Sequence, residues 1–326
     1  MKAMVCREFG EPEVLRLEEA QPRKPGPREV RVAIKAAGVN FPDSLMLAGK
    51  YQVKPPFPFT PGLEGAGDVI EVGEEVEGLA VGQRVMLMAR RGGCFATELT
   101  LDAATVVPLP DGIDYVTAAC FPITYGTAHF ALTHRGQLKP GQTLLVTGAA
   151  GGVGIAAIEI GKALGARVIA AAGSPERLKI AKKHGADILI DYNAESLKDR
   201  VKAVTDGRGV DVAFDPVGGD IFDQCIRAMG WEGRLLVIGF AAGRIPSAPA
   251  NLVLVKNFSV VGVVFGAHTE RFPTESAARF KELLSWLQDG RLRPYVSQTY
   301  AMEDASTAIR QLAERRAAGK LALVAP

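Results

Sequence analysis

From about Tyr115 onward, short apolar runs alternate with stretches whose apolar positions recur every three or four residues. The runs Thr143–Gly148, Arg167–Ala172, Asp187–Asp191, Val210–Asp215 and Arg234–Gly239 predict strands. Their alternation with helical stretches predicts βαβ units and a parallel sheet. Phe258–Val264, apolar and β-branched, predicts a sixth strand. Ser174-Pro175-Glu176 opens a helix with Ser as N-cap and Pro in the first turn, and Gly185 closes it. Amphipathic helices are expected near Glu275–Gln288 and Met302–Arg316, and a last strand, Leu321–Val324, is expected to return to the first domain.

The N-terminal third has a different texture. Nine of the twenty prolines precede residue 62, among short β-branched runs such as Val30–Ala36 and Asp68–Val72. Turns at Gly10-Glu11-Pro12 and Pro25-Gly26-Pro27, and a turn and strand across Val81–Met86, complete the pattern of an irregular, partly closed β-domain.

At 326 residues the chain is too long for one core, so two domains are expected. A net charge of +2 points to neither nucleic acid nor a membrane surface. No apolar run is long enough to span a bilayer, and Met1–Cys6 lacks the features of a signal peptide. Cys6, Cys94, Cys120 and Cys225 are widely spaced, as expected of reduced thiols in a cytoplasmic protein.

Against this background Leu144–Gly154 is the most informative stretch: a strand ends in a glycine-rich turn and a helix follows directly. Such a turn brings first-turn N–H groups and the helix dipole to an anion, so it predicts a bound dinucleotide. The spacing Ala149-x-Gly151-x-x-Gly154 has alanine in the first glycine position of the usual fingerprint, which implies a slightly wider turn. An NAD site would end the second strand in Asp or Glu to bind the ribose 2′-hydroxyl. This strand ends in Ala172-Gly173-Ser174 with Arg177 close behind, which suits a 2′-phosphate and hence NADPH.

A β-domain followed by a dinucleotide fold resembles the medium-chain dehydrogenase/reductase superfamily. Zinc alcohol dehydrogenases of that superfamily carry a cysteine near Gly38-Val39-Asn40 and a Gly-His-Glu motif. Here the motif reads Gly62-Leu63-Glu64, and no cysteine lies between Cys6 and Cys94. The four cysteines with His129, His134, His184 and His268 offer no converging ligand set in the sequence, so no metal is expected. The segments Gly38-Val39-Asn40-Phe41-x-Asp43, Gly49-Lys50-Tyr51, Pro61-Gly62-x-Glu64-x-x-Gly67, Tyr125–Ala128, Asp215-x-Val217-Gly218 and Gly319-Lys320-Leu321 resemble the zinc-free NADPH:quinone oxidoreductases.

That resemblance implies an α/β protein with a GroES-like, partly closed β-domain (residues 1–120 and 266–326). A Rossmann doubly wound parallel sheet (residues 121–265) would bind NADPH. It places Gly151, Gly152 and Val153 against the pyrophosphate, and Ser174, Arg177 and Tyr192 around the 2′-phosphate. Thr127 would lie beside the nicotinamide, Phe240 and Phe265 in loops closing over it, and Lys320 would reach the cofactor from the returning tail. His129 and His134 read as structural. Asn40 and Tyr51 are the candidates for polarising a substrate oxygen, with Asp43 buttressing the Asn40 loop.

The implied reaction is hydride transfer from NADPH to a small-molecule quinone. The alternatives are reduction of an activated carbon–carbon double bond in an enone or acyl-thioester, and an NADPH-binding protein without catalysis. A homodimer joined edge to edge through Phe258–Val264 of the Rossmann domain is also expected.

Overall fold

The computed structural model describes residues 1–325. They form two compact units, Met1–Ile123 together with the chain from Pro294 onward, and Thr124–Arg293.

In the first unit β1 (Lys2–Val5) pairs with β2 (Arg16–Glu19). The main sheet is built on β3 (Glu29–Val39), whose Val30, Val32 and Ile34 alternate inward as period-two patterning requires. Antiparallel pairing continues from β3 through β4 (Glu64–Val72) and β5 (Arg84–Met88) to β7 (Val106–Pro108), while β6 (Glu98–Asp102) pairs with the first half of β3. Helix α1 (Phe41–Leu47) starts directly after β3, and α2 (Tyr115–Ala119) follows the sheet.

Helix α3 (Pro122–His129) leads into the second unit and continues as a π-helical turn over Phe130–Arg135. There β8 (Thr143–Thr147), β9 (Arg167–Ala172), β10 (Ile188–Asp191), β11 (Val210–Asp215), β12 (Met229–Val237) and β13 (Ser259–Gly262) are all parallel, in the order β10-β9-β8-β11-β12-β13. Counted from β8 this is 3-2-1-4-5-6, the doubly wound order, with its topological switch point between β8 and β11. The central strands are near-continuous apolar runs because helices cover each face of such a sheet. Those helices are α4 (Gly152–Ala163), α5 (Pro175–Lys183), α6 (Leu197–Val204) and α7 (Gly219–Ala228), with α8 (Ala250–Lys256) before β13.

Residues 266–293 depart from the expected division, because they belong to the second unit. The reason is aromatic packing. Helix α9 (Phe265–Arg271) and helix α10 (Pro273–Gln288) bury Phe265, Phe280 and Trp286, with Phe265 against the Phe130 ring and Trp286 against His129. The chain re-enters the first unit at Pro294, where β14 (Val296–Ala301), α11 (Ala305–Ala313) and β15 (Lys320–Val324) follow. As expected, the last strand returns to the first unit, where it lies between β14 and β3 and pairs antiparallel with Ala36–Val39 of β3. No helix among the described residues is long and apolar enough to cross a membrane.

Candidate functional site

In the second unit the Gly148–Gly151 turn sits at the carboxyl end of β8, on the switch point. Its tightness has a steric cause: a Cβ on Gly154 would collide with the Gly148 carbonyl oxygen, so only glycine lets α4 approach the turn so closely. Gly151 is the N-cap, and the N–H groups of Gly152, Val153 and Gly154 belong to the first turn, where no preceding helical carbonyl serves them. They form an anion-seeking surface.

The neighbouring loop after β11 is locked by a buried carboxylate. Asp215 accepts from Thr147 Oγ1 at 2.5 Å and from the Val217 N–H at 3.0 Å, with Gly218 N–H at 3.2–3.3 Å. Burial holds its pKa above the ordinary carboxylate range. The loop carrying Phe240 is tied to it, since the N–H groups of Ala241 and Ala242 donate to the carbonyls of Pro216 and Val217. Phe240 itself stays partly exposed.

At the end of β9 the chain turns through Gly173 into α5. Ser174 is the N-cap expected from sequence, its Oγ accepting the Arg177 N–H at 3.4 Å. The Tyr192 ring lies across Gly173, close enough that a Cβ there would meet Tyr192 Cε2 at 3.1 Å and its hydroxyl at 3.4 Å. Asn193, which the sequence reading missed, donates from Nδ2 to the Gly173 carbonyl at 2.8 Å. Ser174 and Tyr192 therefore lie at one turn, with the Arg177 N–H on the Ser174 cap and no carboxylate ending β9.

Thr127 lies on α3, half-buried. Phe265 is not in an open loop: it begins α9 and is buried between Phe130 and Phe280, at centroid distances of 6.0 and 6.3 Å. His129 is structural as expected, its Nε2 3.0 Å from Glu282 Oε2. Two histidines that look scattered in sequence do converge, because His134 on the π-helical turn meets His268 of α9 and Glu275 of α10.

In the first unit, Asn40, Asp43, Glu64 and Lys320 form a buried network. Pairing of β3 with β4 sets Gly38 opposite Glu64, and pairing of β15 with β3 brings Lys320 alongside. A Cβ on Gly38 would strike the Glu64 carboxylate and the Ala119 carbonyl, so glycine makes room for the charge. Lys320 Nζ donates to the Val39 carbonyl at 2.7 Å, to Asn40 Oδ1 at 2.8 Å and to Glu64 Oε1 at 2.8 Å. An ammonium has three N–H bonds, so this geometry uses them all within the first unit and leaves none for the cofactor contact that the family resemblance implies. Asn40 is likewise occupied. Its Nδ2 donates to Glu64 Oε1 at 2.9 Å and to the Gly38 carbonyl at 3.3 Å, rather than facing a substrate oxygen.

Asp43 buttresses the loop, accepting from the Asn40 N–H at 2.7 Å and the Gly62 N–H at 3.1 Å. Burial pushes its pKa up to about 7, against the pull of those two N–H groups and the Lys320 charge. Tyr51 is half-buried on the adjoining core, and burial with the charge of Asp43 raises its phenol above the ordinary value. It remains a hydroxyl donor at neutral pH.

Residues 26–111 match the model of the alcohol dehydrogenase GroES-like domain, and residues 152–287 that of the zinc-binding dehydrogenases. A quinone oxidoreductase-like protein 2 homolog of Nematostella vectensis is 39% identical, over 99% of this chain and 88% of its own length. The quinone oxidoreductase of Pseudomonas syringae has a TM-score of 0.93 at 33% identity, with 99% of each chain covered. Escherichia coli quinone oxidoreductase, solved with NADPH, has a TM-score of 0.92 at 29% identity, over 99% of this chain and 100% of its own.

A zinc of the kind that names the zinc-binding dehydrogenases does not fit the residues around Glu64. Leu63, buried and apolar, precedes the carboxylate. Glu64 Oε1 already accepts from the Lys320 ammonium and the Asn40 amide, and Oε2 accepts from the Ile123 N–H at 2.8 Å. An ammonium on that oxygen electrostatically opposes a second cation there.

Proposed function

Because the chain belongs to the quinone oxidoreductase family of the medium-chain dehydrogenase/reductases, we propose that it reduces a quinone at the expense of NADPH. The observation that carries the cofactor choice is the end of β9. Ser174 and Tyr192 lie at the turn, Arg177 follows in the first turn of α5 with a guanidinium suited to a 2′-phosphate, and Ala172 stands where a carboxylate would bind a free 2′-hydroxyl.

Hydride donation is the chemistry that NADPH supplies when bound; the quinone takes the hydride and one proton to become a hydroquinone. The first-turn N–H groups of Gly152 and Val153, next to Gly151 at the N-cap, would hold the pyrophosphate, with the α4 dipole behind them. Asp215 keeps the adjacent loop in register. We place Thr127, Phe240 and Phe265 on the nicotinamide side, Phe240 as a partly exposed contact and Phe265 as a buried wall. Lys320 and Glu64 hold the Asn40 loop in position, which makes Asn40 a positioning residue. Tyr51 is the group left to donate a hydrogen bond to the developing oxyanion, and a hydroquinone anion needs no stronger acid.

The test is NADPH oxidation followed against a panel of quinones and of α,β-unsaturated aldehydes and thioesters. Turnover with quinones and none with the alkenes is expected. Preference for the alkenes would make the protein an enone reductase, and tight NADPH binding without turnover would remove catalysis altogether.

A further inference from the structure

The second unit holds a group of side chains that hydride transfer does not use. His134 ends the π-helical turn, His268 lies on α9 and Glu275 in the first turn of α10. One ligand atom from each lies within 4.8 Å of the other two. His268 Nε2 is 3.6 Å from Glu275 Oε2, too long for a hydrogen bond. It is close to the separation of about 3.4 Å between two donors on one tetrahedral zinc, given bonds of about 2.0–2.1 Å.

The His268 ring is also set in place for this role. Its side chain is 9% exposed and Nε2 is the nitrogen that faces Glu275. The ring is packed between Phe130 at 4.4 Å and Phe272 at 4.8 Å, with His134 edge-on at 5.0 Å. The π-helical turn is what makes the meeting possible. It adds a residue to the helical turn, and such bulges recur where a side chain must be re-aimed for function.

We propose that His134, His268 and Glu275 form a binding site for a late first-row divalent cation, with zinc the best match to two imidazoles and a carboxylate. His268 is the fixed ligand, and His134 and Glu275 are exposed, so the ion can enter from solvent. A bound ion would tie the π-helical turn to α9 and α10, the segments whose packing holds Phe265. It is a structural clamp, chemically separate from the Glu64 network. Arg279, whose guanidinium lies over the same Phe130 ring at 5.3 Å, brings a positive charge to the neighbourhood and sets the affinity below that of a site with two carboxylates.

Titration of the purified chain with Co²⁺ tests this by visible d–d absorption, and equilibrium dialysis against Zn²⁺ gives the stoichiometry. One ion per chain is expected, with no thiolate-to-metal charge-transfer band. His134→Ala and Glu275→Gln, each at an exposed side chain, should weaken binding by about tenfold or more. Less than one ion per chain at saturation, a thiolate band, or unchanged affinity in either variant would overturn the site.

Discussion

Lys320 Nζ lies 2.8 Å from Glu64 Oε1, with side-chain exposures of 7% and 0%. The pair joins the returning strand β15 to β4 through β3, so the last residues of the chain fix the loop that begins at Asn40. Removing one partner of a buried pair leaves the other charge uncompensated, at a cost of about 3–5 kcal/mol. Lys320→Met is therefore expected to destabilise the protein strongly in urea and to lower kcat by releasing the Asn40 loop. Adding Glu64→Leu should recover much of the stability but not the turnover. Equal stability of the single variant and the parent would show that the pair carries little.

Asp43 gives the same loop a pH dependence. Below about pH 4 it is protonated in the folded and unfolded chain alike. Between there and its folded value of about 7, the folded protein holds a proton the unfolded chain has released, so stability falls as pH rises. Above that value the slope from this group ends. Denaturation curves across pH 4.5–8 should show the decline, and Asp43→Asn should flatten it while costing about 1–3 kcal/mol for the weakened N–H contacts. An unchanged slope in the variant would assign the dependence to other groups.

The parts of the molecule that were legible in sequence are those where local chemistry decides. The strand β9, the Ser174 cap and the glycine turn before α4 fall where period, capping and turn residues put them, and β15 returns as its apolar pattern suggested. What was not legible depends on partners distant in the chain. Lys320 reads as a turn lysine until β15 pairs with β3 and sets it on Glu64, 256 residues away. Residues 266–293 look like the start of the returning segment, but Phe265, Phe280 and Trp286 have aromatic partners in the second unit. Asn193 and the π-helical turn at Phe130–Arg135 carry no local signature, since each is defined by what it packs against.

Arg177 tests the cofactor assignment. A guanidinium paired with a 2′-phosphate makes charge-assisted hydrogen bonds worth about 1.5–3 kcal/mol. Arg177→Ala should raise KM for NADPH by about ten- to a hundredfold and leave KM for NADH nearly unchanged. A parallel rise for the two cofactors would remove Arg177 from the phosphate site.

Tyr51 separates hydrogen-bond donation from packing. Tyr51→Phe keeps the half-buried ring and removes only the hydroxyl, so folding should be unaffected. If the phenol donates to the developing oxyanion, kcat falls by about tenfold or more with little change in KM. Full activity would confine the residue to packing and leave water as the donor.

The exposed edge of the parallel sheet predicts the assembly. Among the described residues β13 has a neighbour on one side only, and Val260 on it is 36% exposed, with Leu254 and Val264 close by in sequence at 79% and 62%. An apolar edge with unpaired N–H and C=O groups tends to pair with another strand, and a second copy of β13 is the strand of matching pattern. A homodimer is therefore expected in light scattering on a sizing column. Val260→Pro removes a backbone donor at the edge and should give a monomer that still binds NADPH, because the glycine turn lies at β8 and not at β13. A parent protein that is monomeric at micromolar concentration, or a variant that stays dimeric, would place the contact elsewhere.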